Sequence, residues 1–284
     1  MSTTTLNETD CEFIRDLVLK QSAIVLGAGK GYLVEMRLNQ VVRQVALSGI
    51  EKLIQNLPKN PNGDLSRHVV EAMTTNETSF SRDVKPFEAL RTIVLPDVME
   101  NRKIERSLNM WCAASSSGQE PYSTMMLIRE HFPTLNDWDL KFVASDLSTE
   151  MIEYCKNGSY AQHEVNRGLP ALFLVKYFQR KGSQWRIKED MRSAIDFITV
   201  NLIGPWPAIP HSTSCFSEMF SFTSTSLSKS KSSIRSTDSS VRAAICSSAG
   251  PKRRSTSIIH SNASIMHVLD VIDSETSKGI WRCE

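Results

Sequence analysis

WCAASSSGQEPYS, residues Trp111–Ser123, is the stretch whose reading decides the fold. It runs from the end of an apolar segment, LNMWCAA, through small residues at Ala114 to Gly118 and into a polar helix start. An apolar run of strand length, a small-residue turn and then a period near 3.6 make the opening of a strand–loop–helix unit. PYSTMMLIREHF supplies the helix, LKFVASD a second buried strand ending at Asp146, and LSTEMIEYCKNG a second helix ending at Gly158. Strand and helix alternate, so the pattern predicts an α/β domain with a parallel sheet.

Upstream, residues from about 9 to 95 read as helices. Thr9 with Glu12 forms a capping box ahead of Phe13, Ile14, Leu17 and Val18, which share one helical face. A second helix is predicted from Leu33 to Leu47 on the stripe Leu33, Met36, Val41, Val42 and Val45. The Pro and Asn-Gly of KNPNGD, Lys59 to Asp64, punctuate the pattern, and Val69, Val70 and Met73 face inward on a third helix. Downstream, QWRIKED and RSAIDFITVNL alternate as antiparallel strands do, which predicts a small β insert before the sheet resumes.

The chain has 284 residues, 40% hydrophobic and 23% charged, which is ordinary globular chemistry with length for a sizeable core. A formal net charge of +2 gives no reason to expect nucleic acid or an anionic membrane as partner. The basic run Lys252, Arg253, Arg254 reads as a solvated tail. Cys11, Cys112, Cys155, Cys215, Cys246 and Cys283 form no CxxC pair, so neither a metal site nor a disulfide framework is expected. MSTTTLNETD has no basic or apolar leader region and no stretch reaches a membrane span, so the expected location is the cytoplasm, without membrane insertion.

In an open α/β sheet, ligands sit outside the carboxyl ends of the strands, beside the loop that follows the first strand. The small side chains of Ala114 to Gly118 let the backbone approach a ligand closely. Glu120 opens the following helix, and Asp146 stands where a carboxylate usually accepts hydrogen bonds from ribose hydroxyls. A dinucleotide and S-adenosylmethionine both fit that layout. A pyrophosphate needs GxGxxG, whereas this loop has only Gly118, and Glu120 puts negative charge where a phosphate would lie. A sulfonium with an ammonium group tolerates carboxylates better. On spacing alone a purely structural role stands beside this one, with Glu120 favouring the helix dipole and Asp146 capping the next helix.

WCAASSSGQEPYS followed by VASD, RGLP at Arg167 to Pro170, KYF at Lys176 to Phe178 and the pair Asn201, Leu202 resembles the bacterial chemotaxis receptor methyltransferases of the CheR type. TTNETSFSRD, Thr74 to Asp83, is similar to that family's signature at the junction of its helical and catalytic domains. The resemblance covers roughly residues 9 to 209. It implies an N-terminal all-α domain followed by a Rossmann-like, S-adenosylmethionine-dependent methyltransferase domain with a small antiparallel β insert. The implied activity is methylation of glutamate side chains on the cytoplasmic part of chemotaxis receptors, a protein-glutamate O-methyltransferase. Asn76, Thr78 and Arg82 would contact cofactor or the reacting carboxylate, with Arg82 the catalytic residue. Glu120 and Asp146 would bind cofactor, and Asn201 with Leu202 would hold its base. The helical domain would dock on receptor helices and the insert on a receptor tail peptide. Ser81 stands where the family usually has Phe, Gln119 where it has Glu, and Ser117 where it has Thr.

The expected domains are residues 1–95, helical with its linker, and 96–210, binding S-adenosylmethionine, with the insert at about 159–200. From His211 to Glu284 the pattern breaks: 21 of 74 residues are serine and no strand or helix period persists, so a disordered, Ser-rich tail is expected. Read one nucleotide earlier, the codons for His211 to Ser226 are compatible with PFDVVFLRNVLIYFDV, and those for Ser240 to Arg253 with LRPGGYLFLGGAET. Both are what the family places there, in that order. A one-nucleotide deletion near the codon for Pro210 or His211 follows, and with it a sheet lacking its later strands and an apolar edge left open. Two other functions stand beside the enzyme: a non-catalytic chemoreceptor-binding module, and a nicotinamide oxidoreductase, which the missing glycines disfavour.

Overall fold

The structure, a computed structural model, describes residues 6–82, 84–205, 207 and 214–216. The chain forms two compact units. Among the described residues, one comprises the chain up to Asn76 with Leu147–Thr149 and residues 200–205; the other comprises the described residues of Glu77–Asp146 and Glu150–Thr199 with Pro207 and Ser214–Phe216.

The first unit is helical: α1 (Glu8–Ser22), α2 (Gly31–Gln44), α3 (Ile50–Asn56) and α4 (Asp64–Ala72). The cap of α1 is Asn7, whose side chain accepts from the Asp10 amide at 2.8 Å, so Thr9 lies inside the first turn. Asn caps as well as Thr does, and one earlier cap satisfies the same orphan amides. On α2 the inward stripe is Val34, Leu38, Val41 and Val42, the i, i+4, i+7, i+8 set, while Met36 is 51% exposed. These close over Ile14 and Val18 of α1, Leu53 of α3 and Val69 and Val70 of α4, the last two inward as their spacing predicts.

The second unit opens with a helical run: α5 (Val84–Ala89), a π-helical turn Leu90–Val94 and α6 (Leu95–Asn101). Pro96 accounts for the widened turn, since it has no N–H to donate and its ring displaces the carbonyl one turn back. Then come β1 (Ser107–Ala113), α7 (Gln119–His131), β2 (Asp139–Asp146), α8 (Thr149–Asn157), β3 (Ser159–Ala161), α9 (Gln162–Val165), α10 (Ala171–Tyr177), β4 (Phe178–Lys181), β5 (Gln184–Ile187), α11 (Glu189–Arg192), β6 (Asp196–Thr199) and β7 (Ser214–Phe216).

Among the described residues the main sheet has the order β6-β2-β1-β7 and every pairing is parallel. β1 and β2 run in register from Ser107 opposite Asp139 to Ala113 opposite Ser145, which brings the ends of both strands to one edge. Leu108, Met110 and Cys112 of β1, Phe142 and Ala144 of β2 and Tyr122, Met125 and Met126 of α7 form its core. The small sheet, β3-β5-β4, is antiparallel.

One expectation changes here. RSAIDFITVNL does not join the antiparallel insert: its strand, β6, pairs parallel to β2 with Val143 opposite Asp196. An edge strand of a parallel sheet is half-exposed and alternates as an antiparallel strand does, so alternation alone could not separate the two. On the far side of β1 from β2, Ser214–Phe216 pairs with it from Met110 opposite Ser214. The rest of the expected tail, residues 211–213 and 217–284, lies outside the described residues, as does Asp83.

Candidate functional site

The loop between β1 and α7 is built by its backbone. Ala114, Ser116 and Gly118 have φ of 57°, 49° and 93°, alternating left-handed positions, and the Gly118 amide donates to Ser115 O at 3.0 Å, so the five residues turn tightly. Only glycine fits at Gly118: a Cβ there would lie 2.9 Å from Cys155 Sγ and 3.1 Å from the Tyr160 hydroxyl. α7 follows with Glu120 and Pro121 in its first turn, where a carboxylate suits the dipole and proline loses no helical bond.

Hydrogen bonds from four directions fix the loop. The Ser115 amide donates to Ser145 O at 2.8 Å and the Ser116 amide to Asp146 Oδ2 at 2.7 Å, both at the end of β2. The Ser116 carbonyl accepts from Cys155 Sγ at 3.1 Å and the Ser117 carbonyl from the Tyr160 hydroxyl at 2.8 Å. The Tyr122 hydroxyl donates to the Cys155 carbonyl at 2.7 Å, and Trp111 Nε1 to Ser145 Oγ at 3.0 Å. Burial pushes the Cys155 thiol and the Tyr122 and Tyr160 hydroxyls well above their ordinary values, so all three stay protonated donors at neutral pH.

Two of the predicted residues meet on this loop. Asp146, 6% exposed, closes β2 and accepts from its middle amide, and Glu120, 5% exposed, accepts from Cys112 Sγ at 3.4 Å. Ser117 and Gln119, two departures from the family pattern, are partners: Ser117 Oγ donates to Gln119 Oε1 at 2.8 Å.

Thr78 and Arg82 lie on one short turn of the same unit. Arg82 Nη1 donates to the Glu77 carbonyl at 2.9 Å, which closes the turn, and Thr78 is half-buried. Arg167 of RGLP pairs with the Glu77 carboxylate at 2.7 Å and holds that carboxyl below its usual value. The Ser81 amide donates to Ser123 Oγ of α7 at 3.1 Å, and Phe80 is fully buried between the rings of Tyr160 and Phe178, 5.1 and 5.7 Å away. The other three predicted residues fall in the helical unit. Asn76 is exposed; Asn201 donates from Nδ2 to the Gln21 carbonyl at 2.6 Å and accepts from the Ile203 amide at 3.2 Å; Leu202 is half-buried.

Sequence reasoning gave no role to Cys155, Tyr160 or Ser123, and it read Arg167 only as part of the RGLP motif. Cys155 and Tyr160 flank the turn at Gly158, a position that reads equally well as core.

The residues present fit S-adenosylmethionine better than a dinucleotide. A tight loop of small residues beside two buried carboxylates suits a cationic sulfonium with its ammonium group and ribose, and repels a pyrophosphate. Among the described residues no cluster of His, Cys, Asp and Glu could hold a metal, and no helix is long and apolar enough to cross a membrane.

Comparison with known proteins agrees. Residues 76–213 match the family model described as CheR methyltransferase, SAM binding domain. The chain is 41% identical over 205 residues to chemotaxis protein methyltransferase Cher2 of Pseudomonas putida, covering 70% of this chain and 74% of that protein. It is 40% identical over 205 residues to chemotaxis protein methyltransferase 1 of Pseudomonas aeruginosa, with the same coverage. To the chemotaxis protein methyltransferase of Vibrio parahaemolyticus it is 34% identical over 207 residues, 72% of this chain and 74% of that protein. With the loop, its carboxylates and the parallel sheet in place, this chain belongs to the chemotaxis protein methyltransferase family, transferases whose methyl donor is S-adenosyl-L-methionine.

Proposed function

We propose that the protein transfers a methyl group from S-adenosylmethionine to glutamate side chains of chemotaxis receptors, with the loop Ala114–Gly118 as the cofactor site and Arg82 as the catalytic residue. The observation that carries the reading is the loop itself, a coil of small residues fixed against Asp146 and followed by buried Glu120. When bound, the cofactor supplies an electrophilic methyl group on a positively charged sulfur. Asp146 lies where the ribose hydroxyls belong, and Glu120 offers a negative neighbour to the cationic end. The roles of Asn76, Asn201 and Leu202 rest on the resemblance alone.

A glutamate carboxylate is ionised at neutral pH, so its attack on the methyl carbon needs no general base. What remains for the protein is orientation and exclusion of water. Arg82 is the group to orient the receptor carboxylate, because a guanidinium offers a planar fork of donors matched to two carboxylate oxygens. Its bond to the Glu77 carbonyl sets the direction of that fork. Arg82→Ala should lower methyl transfer by about a thousandfold, the effect of removing one positioned donor from a reacting centre, with S-adenosylhomocysteine affinity nearly unchanged. Radiolabelled transfer to receptor beside calorimetry measures both, and unchanged turnover would remove Arg82 from the mechanism.

A second reading is favoured by the residues after Pro210, whose codons, read one nucleotide earlier, are compatible with a continuation of the family sequence. On that reading this product is a non-catalytic receptor-binding module descended from the enzyme, its activity lost with the later strands. It captures receptor in a pull-down and transfers no methyl group.

A further inference from the structure

We propose that Tyr160 is a positioning residue for methyl transfer: it sets the shape of the cofactor loop with its hydroxyl and the seat of the Arg82 turn with its ring. The proposal rests on the cofactor reading above and goes beyond it, since neither resemblance nor composition singles out this side chain.

Tyr160 is on β3, the first strand of the small sheet, and is fully buried. Its hydroxyl donates to the Ser117 carbonyl at 2.8 Å, one residue before Gly118, and a Cβ at Gly118 would meet it at 3.1 Å. The loop is therefore shaped against this hydroxyl, and Asp146 and Cys155 hold its preceding residue from other sides. The ring of Tyr160 meets Phe80 edge-on, with centroids 5.1 Å apart and planes at 73°. Phe80 lies two residues before Arg82 and is fully buried, so its ring fixes where the turn begins. One side chain thus touches both the loop proposed for the cofactor and the turn proposed for the receptor carboxylate. Methyl transfer requires those two in register to within a few tenths of an ångström.

Tyr154 provides the comparison. Its ring also packs edge-on against Tyr160, at 5.6 Å, but its hydroxyl donates to Glu164 at 2.9 Å and not to the loop. A general loss of packing would affect both tyrosines alike.

The test compares the full-length wild type, Tyr160→Phe and Tyr154→Phe. Hydrogen–deuterium exchange without ligand reads peptides spanning 114–118, whose Ser115, Ser116 and Gly118 amides are hydrogen-bonded. Calorimetry reads S-adenosylhomocysteine affinity. Tyr160→Phe keeps the ring and leaves the Ser117 carbonyl without its donor, so exchange should rise and affinity fall, each about tenfold, a change of about 1.4 kcal/mol. Tyr154→Phe should change neither. Wild-type exchange at 114–118 in Tyr160→Phe, or an equal change in Tyr154→Phe, overturns the proposal. A wild type that binds no S-adenosylhomocysteine overturns the cofactor reading instead, while exchange still decides whether Tyr160 sets the loop.

Discussion

Gly168 has a φ of +87°, and a Cβ built on it lies 1.9 Å from the Phe80 carbonyl oxygen, so at this one residue the RGLP motif acts by lacking a side chain. The contact lets Arg167 beside it reach Glu77 and steadies the turn carrying Thr78 and Arg82. Gly168→Ala combines left-handed strain of about 1–2 kcal/mol with backbone overpacking of about 1–3 kcal/mol. We expect a loss near 3 kcal/mol in urea unfolding. Arg167→Ala should cost under 1 kcal/mol, since exposed ion pairs contribute little. Equal losses would mean the ion pair, not the close approach, holds the turn. RGLP was legible as a motif, but its role was not: nothing in four residues shows that a carbonyl from Phe80 will press against their glycine.

At the scale of elements, α7 is joined to α10 through Glu130, which pairs with Lys176 Nζ at 2.6 Å and accepts from the Tyr177 hydroxyl. The Lys176 and Tyr177 hydrogen bonds hold the Glu130 carboxyl below its ordinary value of 4.5. A carboxyl depressed by folding stabilises the folded state above its unfolded value, and that contribution drains away as pH falls through the depressed value. Glu130→Gln should therefore unfold at a lower temperature than wild type at pH 7, with the gap closing toward pH 3. A gap constant across that range would mean the pair acts through packing alone. KYF was legible as part of the family pattern, whereas its partner on α7 was not, because the two lie 47 residues apart in sequence. β6 shows the same limit, since one alternating pattern serves a parallel edge strand and an antiparallel insert.

For the whole molecule the open question is the reading frame. β7 falls at Ser214–Phe216, where the shifted frame is compatible with Val-Val-Phe, the β-branched apolar composition a sheet strand favours. It pairs parallel to β1 there, with Met110 opposite Ser214 and Cys112 opposite Phe216. The family match also ends at residue 213, close to the proposed deletion. The coding DNA should show one nucleotide missing near the codon for Pro210, and the product with it restored should unfold at a higher temperature and transfer methyl groups to receptor faster. Stop codons in that frame would end the idea. The sequence by itself determined the alternating strands and helices, the loop Ala114–Gly118, its two carboxylates and the family. Those follow from the period of apolar residues and from side-chain size over short spans, which the chain carries locally. Only the tertiary structure decided that Tyr160 and Cys155 hold the loop, that Gly168 rests on Phe80 and that β6 runs parallel to β2. Each of those is a pairing of groups distant in sequence, and the choice of partner is made by the packed fold.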